Sequence, residues 1–562
     1  MFSRRSTPLR RLLPPLLLAL ALLGALPPRA ASVRADPPTA PAASLGVARA
    51  EHTATALADG RVLVVGGYNG QQINSAIQTL GTAELYAPSL DRWRAVAPLA
   101  LPRQQHTATL LRDGRVLVVG GAGPGASLLT ATATAELYDP AADRWTTTGA
   151  LHTTRWAHRA VALADGRVMV VGGREQVFSQ SGYTTLATAE IYDPATGTWA
   201  VARPLTEARF GHAATLLPDG RVLVVGGRNR DSSRELQTAE RYDPRADRWA
   251  ATAPVAGSVG GPVATPLPDG TVLLTGTDQP QRYDPRADRW SRAGRPLLDD
   301  RGLHLAAPLP SGGVLVVGGA ATSPTIERYD PITDSWMAVG DLPITRDHTV
   351  TALQDGRILI AGGKVGLPDA PLAGTWLVTD PVPRRCFVET GACTGGRFLE
   401  HWAANGGLAR NGYPLGPVRR ERLDDGTTYN VQYFERVRLE FHPENNAPDD
   451  VLLGQFGRRI HPADPPVAAL PGATFDPVTG HNIARPAFAA YYAANGGLAQ
   501  FGHPLSEELV ETLEDGRRYS VQYFERARFE WHPESRDPQD QVLLGQFGRR
   551  IDNESGGGAT AR

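Results

Sequence analysis

The chain has 562 residues, with 57 Lys plus Arg against 58 Asp plus Glu, so its formal net charge is −1. A charge so near zero argues against a general nucleic-acid binder, whose affinity comes largely from a basic surface. Cys386 and Cys393 are the only two cysteines, too few for a cysteine-rich metal site, and their short spacing predicts one small disulfide loop in an oxidising compartment.

The first 35 residues combine a basic start (Arg4, Arg5, Arg10, Arg11), an apolar run from Leu12 to Leu26 and a small-residue exit at Val33-Arg34-Ala35. That order predicts a secretory signal peptide, with an apolar run too short to span a bilayer. The mature chain is therefore expected to be exported, secreted or held at the cell envelope, with no membrane span after cleavage. No Cys follows the apolar run, which argues against a lipid anchor.

From residue 52 to residue 363 one unit of about fifty residues recurs seven times. Its opening position holds His52, His106, His158, His212, Pro262, His304 and His348. An apolar strand then runs to a glycine pair, as in Val62–Val65 before Gly66-Gly67, and a second strand such as Ala135–Asp139 leads through a Pro-containing turn to a Trp such as Trp145. Asp-Gly pairs such as Asp59-Gly60 predict the hairpin turns between the first two strands of each unit. No unit can bury its own apolar face, so neighbours must stack. The double glycine, Tyr-Asp-Pro and Trp at fixed offsets resemble the kelch repeat, and the resemblance implies an all-β fold, a seven-bladed kelch β-propeller over residues 36–383. Unit seven lacks a fourth strand, whereas Ala43-Ser44-Leu45 lines up with the end of one. Residues just after 36 are thus expected to close the ring on blade seven, removing its open edge.

Seven-bladed kelch propellers include galactose oxidase, but its copper cofactor requires a Cys cross-linked to a Tyr, and residues 36–383 contain no Cys. No cofactor, metal or catalytic residue is therefore assigned. The histidines recur once per blade around a wide ring, as do Glu84, Glu136, Glu190, Glu240 and Glu327, and this periodicity predicts hydrogen bonds between blades. Arginines recur too: Arg49, Arg103, Arg155, Arg209 and Arg301 stand three residues before the opening position, and Arg346 two before. In kelch substrate adaptors an Arg at the start of the first strand lies on the ligand-binding face, which the resemblance transfers to this ring. The loops after the glycine pairs are long in blades one to four and place Tyr68, Asn69, Arg174, Phe178, Tyr183, Arg228, Asn229 and Arg230 beside it. Arg suits bidentate contact with carboxylates and aromatic rings suit stacking. The competing expectation is that a once-per-blade Arg is an interblade ion pair.

Residues 384–461 and 474–551 are duplicates joined by a Pro-rich linker, 462–473, and residues 552–562 form a polar tail expected to be disordered. Both copies contain Asn-Gly-Gly-Leu, Gly-x-Pro-Leu, Val-Gln-Tyr-Phe-Glu-Arg and Leu-Leu-Gly-Gln-Phe-Gly-Arg-Arg-Ile. They predict two small α+β modules, each with a helix stopped at Asn-Gly-Gly and a hairpin turning at Asp425-Gly426 or Asp515-Gly516. These modules are similar to LGFP-type repeats of exported bacterial proteins, which implies cell-wall association. Function is expected to be non-catalytic binding of a glycan or protein ligand on the propeller face. The alternative is a carbohydrate-active enzyme like the sialic-acid mutarotases, which present Arg on a central kelch pocket.

Overall fold

The computed structural model describes residues 39–562 except 74–75, 125–129, 178–181, 230–234, 258, 295–302, 320–324, 345, 366–369, 514, 536–540 and 555–562. The expected signal peptide lies outside the described residues. Seven four-stranded antiparallel sheets follow one another along the chain to residue 378, each meandering from its innermost strand outward. The innermost strands, Thr53–Ala56, Thr107–Leu110, Arg159–Ala162, Ala213–Leu216, Val259–Pro266, Leu305–Pro308 and Thr349–Ala352, touch one another in order and close a ring. This is a seven-bladed β-propeller.

The repeated strand is apolar throughout because a sheet covers each of its faces. Val62–Val65, Val116–Val119, Val168–Val171 and Val222–Val225 are buried along their whole length. Each core lies between blades: Leu57, Leu63 and Val65 of blade one pack against Val116, Val118 and Tyr138 of blade two. The Trp of the outer strand seals the seam, its indole N–H donating to the preceding connection, as Trp145 does to Ala97 O at 2.7 Å and Trp199 to Gly149 O at 2.8 Å.

The ring closes as the truncated seventh unit predicts. Thr39–Ala42 pairs antiparallel with Thr375–Val378 and supplies the fourth strand of blade seven. Trp93 then donates to Ala43 O at 2.7 Å and Leu45 is buried, so the chain's first described strand is latched to blade one as well.

The two C-terminal modules are more entangled than a linker between independent units implies. Each has a helix, Gly396–Ala404 or Pro486–Ala494, and a four-stranded sheet. The final helix of each copy, however, lies on the other copy. Gly457 N donates to Glu525 O and Arg458 pairs with Glu525, while Arg549 N donates to Glu435 O and Arg549 pairs with Glu435. Tyr433, Phe456, Tyr523 and Phe547 share one core, so the modules fold as an exchanged pair. Asp552, placed by sequence in a disordered tail, belongs to the helix Phe547–Glu554 and pairs with Arg419 at 2.8 Å; the rest of that tail, residues 555–562, lies outside the described residues. Cys386 and Cys393 form the expected disulfide across a short hairpin. The first module docks on blade six, where Asn430 donates to Pro331 O and Ile332 O.

Candidate functional site

Each glycine pair ends its strand against the next blade. A Cβ on Gly66 would lie 2.5 Å from Arg103 O and 2.8 Å from His106 Cε1, and its φ of 65° favours glycine independently. The tight approach lets Gly67 N donate to Arg103 O at 2.9 Å, with Gly121 to Arg155 and Gly173 to Arg209 repeating the bond. The arginine backbone is thereby fixed to one blade while its side chain enters the following one.

There the expectation of a ligand-binding ring fails for Arg49, Arg103, Arg155 and Arg209, all 0% exposed. Their guanidinium groups pair with Glu84, Glu136, Glu190 and Glu240 at 2.6, 2.7, 2.7 and 3.1 Å. Each also donates to the carbonyl of the first glycine, Arg155 to Gly172 O at 3.0 Å. The other glutamate oxygen accepts from the interblade connection, as Glu190 does from His152 N at 2.7 Å. Burial opposes ionisation of Glu190, but the bonds from His152 and the charge of Arg155 hold it below the usual carboxylate range. These arginines are struts with no surface to offer a ligand. Arg346 differs, being half-buried beside Asp347, and Arg301 lies outside the described residues.

Four of the column histidines, His52, His106, His158 and His304, bridge blades. His106 meets Thr53 Oγ1 at 2.8 Å, His158 meets Thr107 Oγ1 at 2.9 Å, and His52 meets Thr349 Oγ1 at 3.2 Å. Burial pushes His106 down to about 3 and His348 down to about 4, so both are neutral at physiological pH.

Above the glycine pairs, the loop face divides into two regions. On the blade-seven side, the ammonium of Lys364 sits 4.8 Å from the Tyr68 ring and 2.9 Å from Asp347. Asn69 is held within its own hairpin by Gln78 at 2.7 Å. On the blade-three and blade-four side the arrangement is different. Arg174 stacks 3.5 Å from the Phe210 centroid, 4.2 Å from Tyr183 and 5.3 Å from Trp156. It has no ion pair among the described residues. Burial and the adjacent charge of Arg228 both draw its pKa down. Arg228 is 61% exposed and contacts Glu235 at 2.7 Å, with Asn229 next in the chain. Phe178 and Arg230 lie outside the described residues.

Sequence reading missed Trp156 and Phe210. Both stand two residues before the opening His, where blades one, two and seven have Ala50, Gln104 and Arg346. Each forms an isolated bridge to the residue after the glycine pair, Trp156 to Arg174 and Phe210 to Arg228. The signal was an aromatic departure at one register position of a repeat.

Residues 48–264 match the family described as the KLHDC2/KLHL20/DRC7 Kelch-repeats domain. The chain carries kelch repeats. Mouse Kelch-like protein 35 is 29% identical over 305 residues, which are 54% of this chain and 42% of that protein. Beta-scruin of Limulus polyphemus is 32% identical over 145 residues, 25% of this chain and 15% of that protein. The chain thus spans less than half the length of these kelch relatives. A solved fungal alcohol oxidase of the AA5 family, in complex with copper, superposes with a TM-score of 0.49 at 18% identity, covering 61% of this chain and 76% of that one.

Proposed function

We propose that this kelch propeller is a non-catalytic binding module acting outside the cytoplasm, whose loop face over blades three and four takes an acidic segment of a protein partner. The observation that carries this reading is Arg174, a cation flanked by Trp156, Tyr183 and Phe210 and without an ion pair among the described residues. Aromatic rings hold a guanidinium flat while leaving its edge N–H groups free for a carboxylate, and Arg228 adds a second positive charge. The kelch repeats favour a protein ligand, and the basic, apolar N-terminal segment with the Cys386–Cys393 disulfide supports export. The C-terminal pair, similar to wall-associated repeats, is proposed to hold the propeller at the envelope.

The test is retention on immobilised polyglutamate and on an acidic polysaccharide such as alginate, at low and moderate salt. Retention on polyglutamate that weakens at least tenfold in the Arg174→Ala, Arg228→Ala variant supports the reading, each charge-assisted contact being worth about 1.5–3 kcal/mol. Retention on alginate alone would make the ligand a glycan. Retention on neither, or unaltered retention by the variant, would overturn it.

A further inference from the structure

The two C-terminal modules repeat one fold, yet a groove that is filled on the second is open on the first. On the second module the Pro-rich linker lies along the turn at Gly480 and the loop at Leu505. Asp464 N donates to Leu505 O and Val467 N to Gly480 O, both at 2.8 Å. Asn482 Nδ2 donates to Ala468 O, and its Oδ1 accepts from Leu470 N. Pro466 presses so closely on Gly480 that a Cβ there would lie 2.4 Å from the proline. The run Asp464-Pro465-Pro466-Val467 is extended because each proline fixes φ at about −65° and keeps the residue before it out of the helical region. Its two N–H donors are one turn of a polyproline II helix apart, and the prolines between them have no N–H to satisfy.

The same backbone recurs on the first module with no segment lying on it. Gly391 N donates to Phe387 O at a φ of 66°, as Gly480 N donates to Asp476 O at a φ of 71°. Leu415 N donates to Tyr433 O, as Leu505 N does to Tyr523 O. A Cβ on Gly391, however, would meet nothing within 4 Å. The carbonyls of Gly391 and Leu415, which correspond to the two that hold the linker, accept no hydrogen bond among the described residues. Both residues line a cavity of about 790 Å³, within the size range of ligand clefts. Its opposite wall is the end of blades five and six away from the glycine pairs, at Pro268, Pro310, Pro331 and Ile332. The chain entering the first module leaves the groove uncovered, running instead to blade six, where Asp380 meets Arg328 and Ser311. The charged wall residues Asp269, Asp552 and Arg549 pair with Arg282, Arg419 and Glu435. What the groove offers is open carbonyls and apolar proline rings.

We propose that the groove between the first module and blades five and six binds an extended Pro-Pro segment of a protein partner, read through its backbone. The residue before the proline pair donates its N–H to Leu415 O, the residue after it donates to Gly391 O, and the second proline lies over Gly391. Proline pre-sets this shape, so little conformational entropy is lost on binding. Cys393 stands where the second module has Asn482, since Gln432 donates to the one carbonyl and Gln522 to the other. Its sulfur is held in the disulfide, so the bonds to Ala468 and Leu470 have no counterpart and recognition centres on the Pro-Pro pair and its two neighbours. The propeller supplies a wall that the linker lacks: residues 464–470 stay exposed on the second module, whereas a segment in the cavity is covered from both sides. This site is separate from the loop face over blades three and four.

The test titrates the full chain into a labelled peptide Ala-Asp-Pro-Pro-Val-Ala-Ala-Leu, the sequence of residues 463–470, and follows fluorescence polarisation. The peptide should bind saturably. N-methylation at its valine removes the donor to Gly391 O and sets a methyl group against that carbonyl, so affinity should fall at least about tenfold. Gly391→Asn places a side chain where the second proline would lie, at a left-handed position that asparagine tolerates. That variant should melt as the wild type does and bind the unmodified peptide at least about tenfold more weakly. The Arg174→Ala, Arg228→Ala variant should bind it as the wild type does. The N-methylated peptide is read on the wild type, so its result does not depend on how any variant folds. No saturable binding, equal binding of the N-methylated peptide, undiminished binding by Gly391→Asn, or weakened binding by the loop-face variant would overturn the proposal.

Discussion

Blades one to four and the loops above them are built from the same repeat yet obey different rules. Within the blades, whatever recurs is structural: the Arg–Glu pair, the bridging His, the paired glycines and the sealing Trp all join one blade to the next. On the loop face, what matters is what fails to recur. Arg174, Trp156 and Phe210 come together only over blades three and four. The second half of the ring teaches the same lesson from its other side. Blade five replaces the recurrent Glu with Gln281, which bonds Ala256 through its amide, and blade six gives its turn at Pro331-Ile332 to the docked C-terminal module. A repeated column is explained by the ring, and a break in the column requires a separate cause.

The largest expected effect on the recurrent set is acid lability. His52, His106, His158, His212 and His348 are all depressed in the folded state, chiefly by burial. For such a group the unfolded chain binds the proton first, so stability is full above the unfolded value of about 6.5 and falls as pH drops from there toward the folded values. Each histidine contributes up to about 1.4 kcal/mol per pH unit in that window. Urea midpoints measured from pH 7 to pH 4.5 should fall steadily; a flat profile would mean that these side chains are not held neutral.

Ring opening comes next. Deleting residues 36–46 removes the fourth strand of blade seven, the Trp93 contact and the buried Leu45. It should lower the melting temperature by more than the loss of any one buried pair and expose a strand edge prone to association. Light scattering would detect the aggregates, and a monomer with unaltered melting would contradict closure.

In the C-terminal pair, glycines replace arginines as the recurrent structural residue. A Cβ on Gly457 would lie 1.6 Å from Phe524 O, and one on Gly548 1.7 Å from Phe434 O. Gly457→Ala should therefore loosen the exchanged helices at a cost of roughly 1–3 kcal/mol, seen as faster proteolysis after residue 456, while propeller melting stays in place.

Much of this was legible in the sequence because periodicity is a long-range signal. The blade count, the closing strand, the Asp-Gly turns and the bridging histidines each follow from a column of like residues. The fate of the arginines was harder to read. Arg49 and Glu84 are 35 residues apart and look unrelated singly, although both columns keep the same period. Two oppositely charged columns in one register meet in blades one to four, which is a recognisable sign of a buried pair. The helix exchange was not legible, since a Phe-Gly-Arg-Arg-Ile segment reads identically whether it packs on its own module or on its twin. The Arg174 cluster was half legible: Arg174 and Tyr183 stood out as long-loop residues, whereas Trp156 and Phe210 were hidden in strand-entry positions.

The claim that recurrent arginines hold the ring while the non-recurrent one binds is tested most directly by comparing Arg155→Ala with Arg174→Ala in one assay of melting and of polyglutamate retention. Arg155→Ala leaves Glu190 without its buried cation and should cost about 3–5 kcal/mol, while retention per folded molecule is unchanged. Arg174→Ala should shift stability by no more than about 0.5 kcal/mol and weaken retention at least tenfold. The reverse pattern, with Arg155→Ala weakening retention in a stable fold and Arg174→Ala destabilising it without loss of binding, would contradict the account.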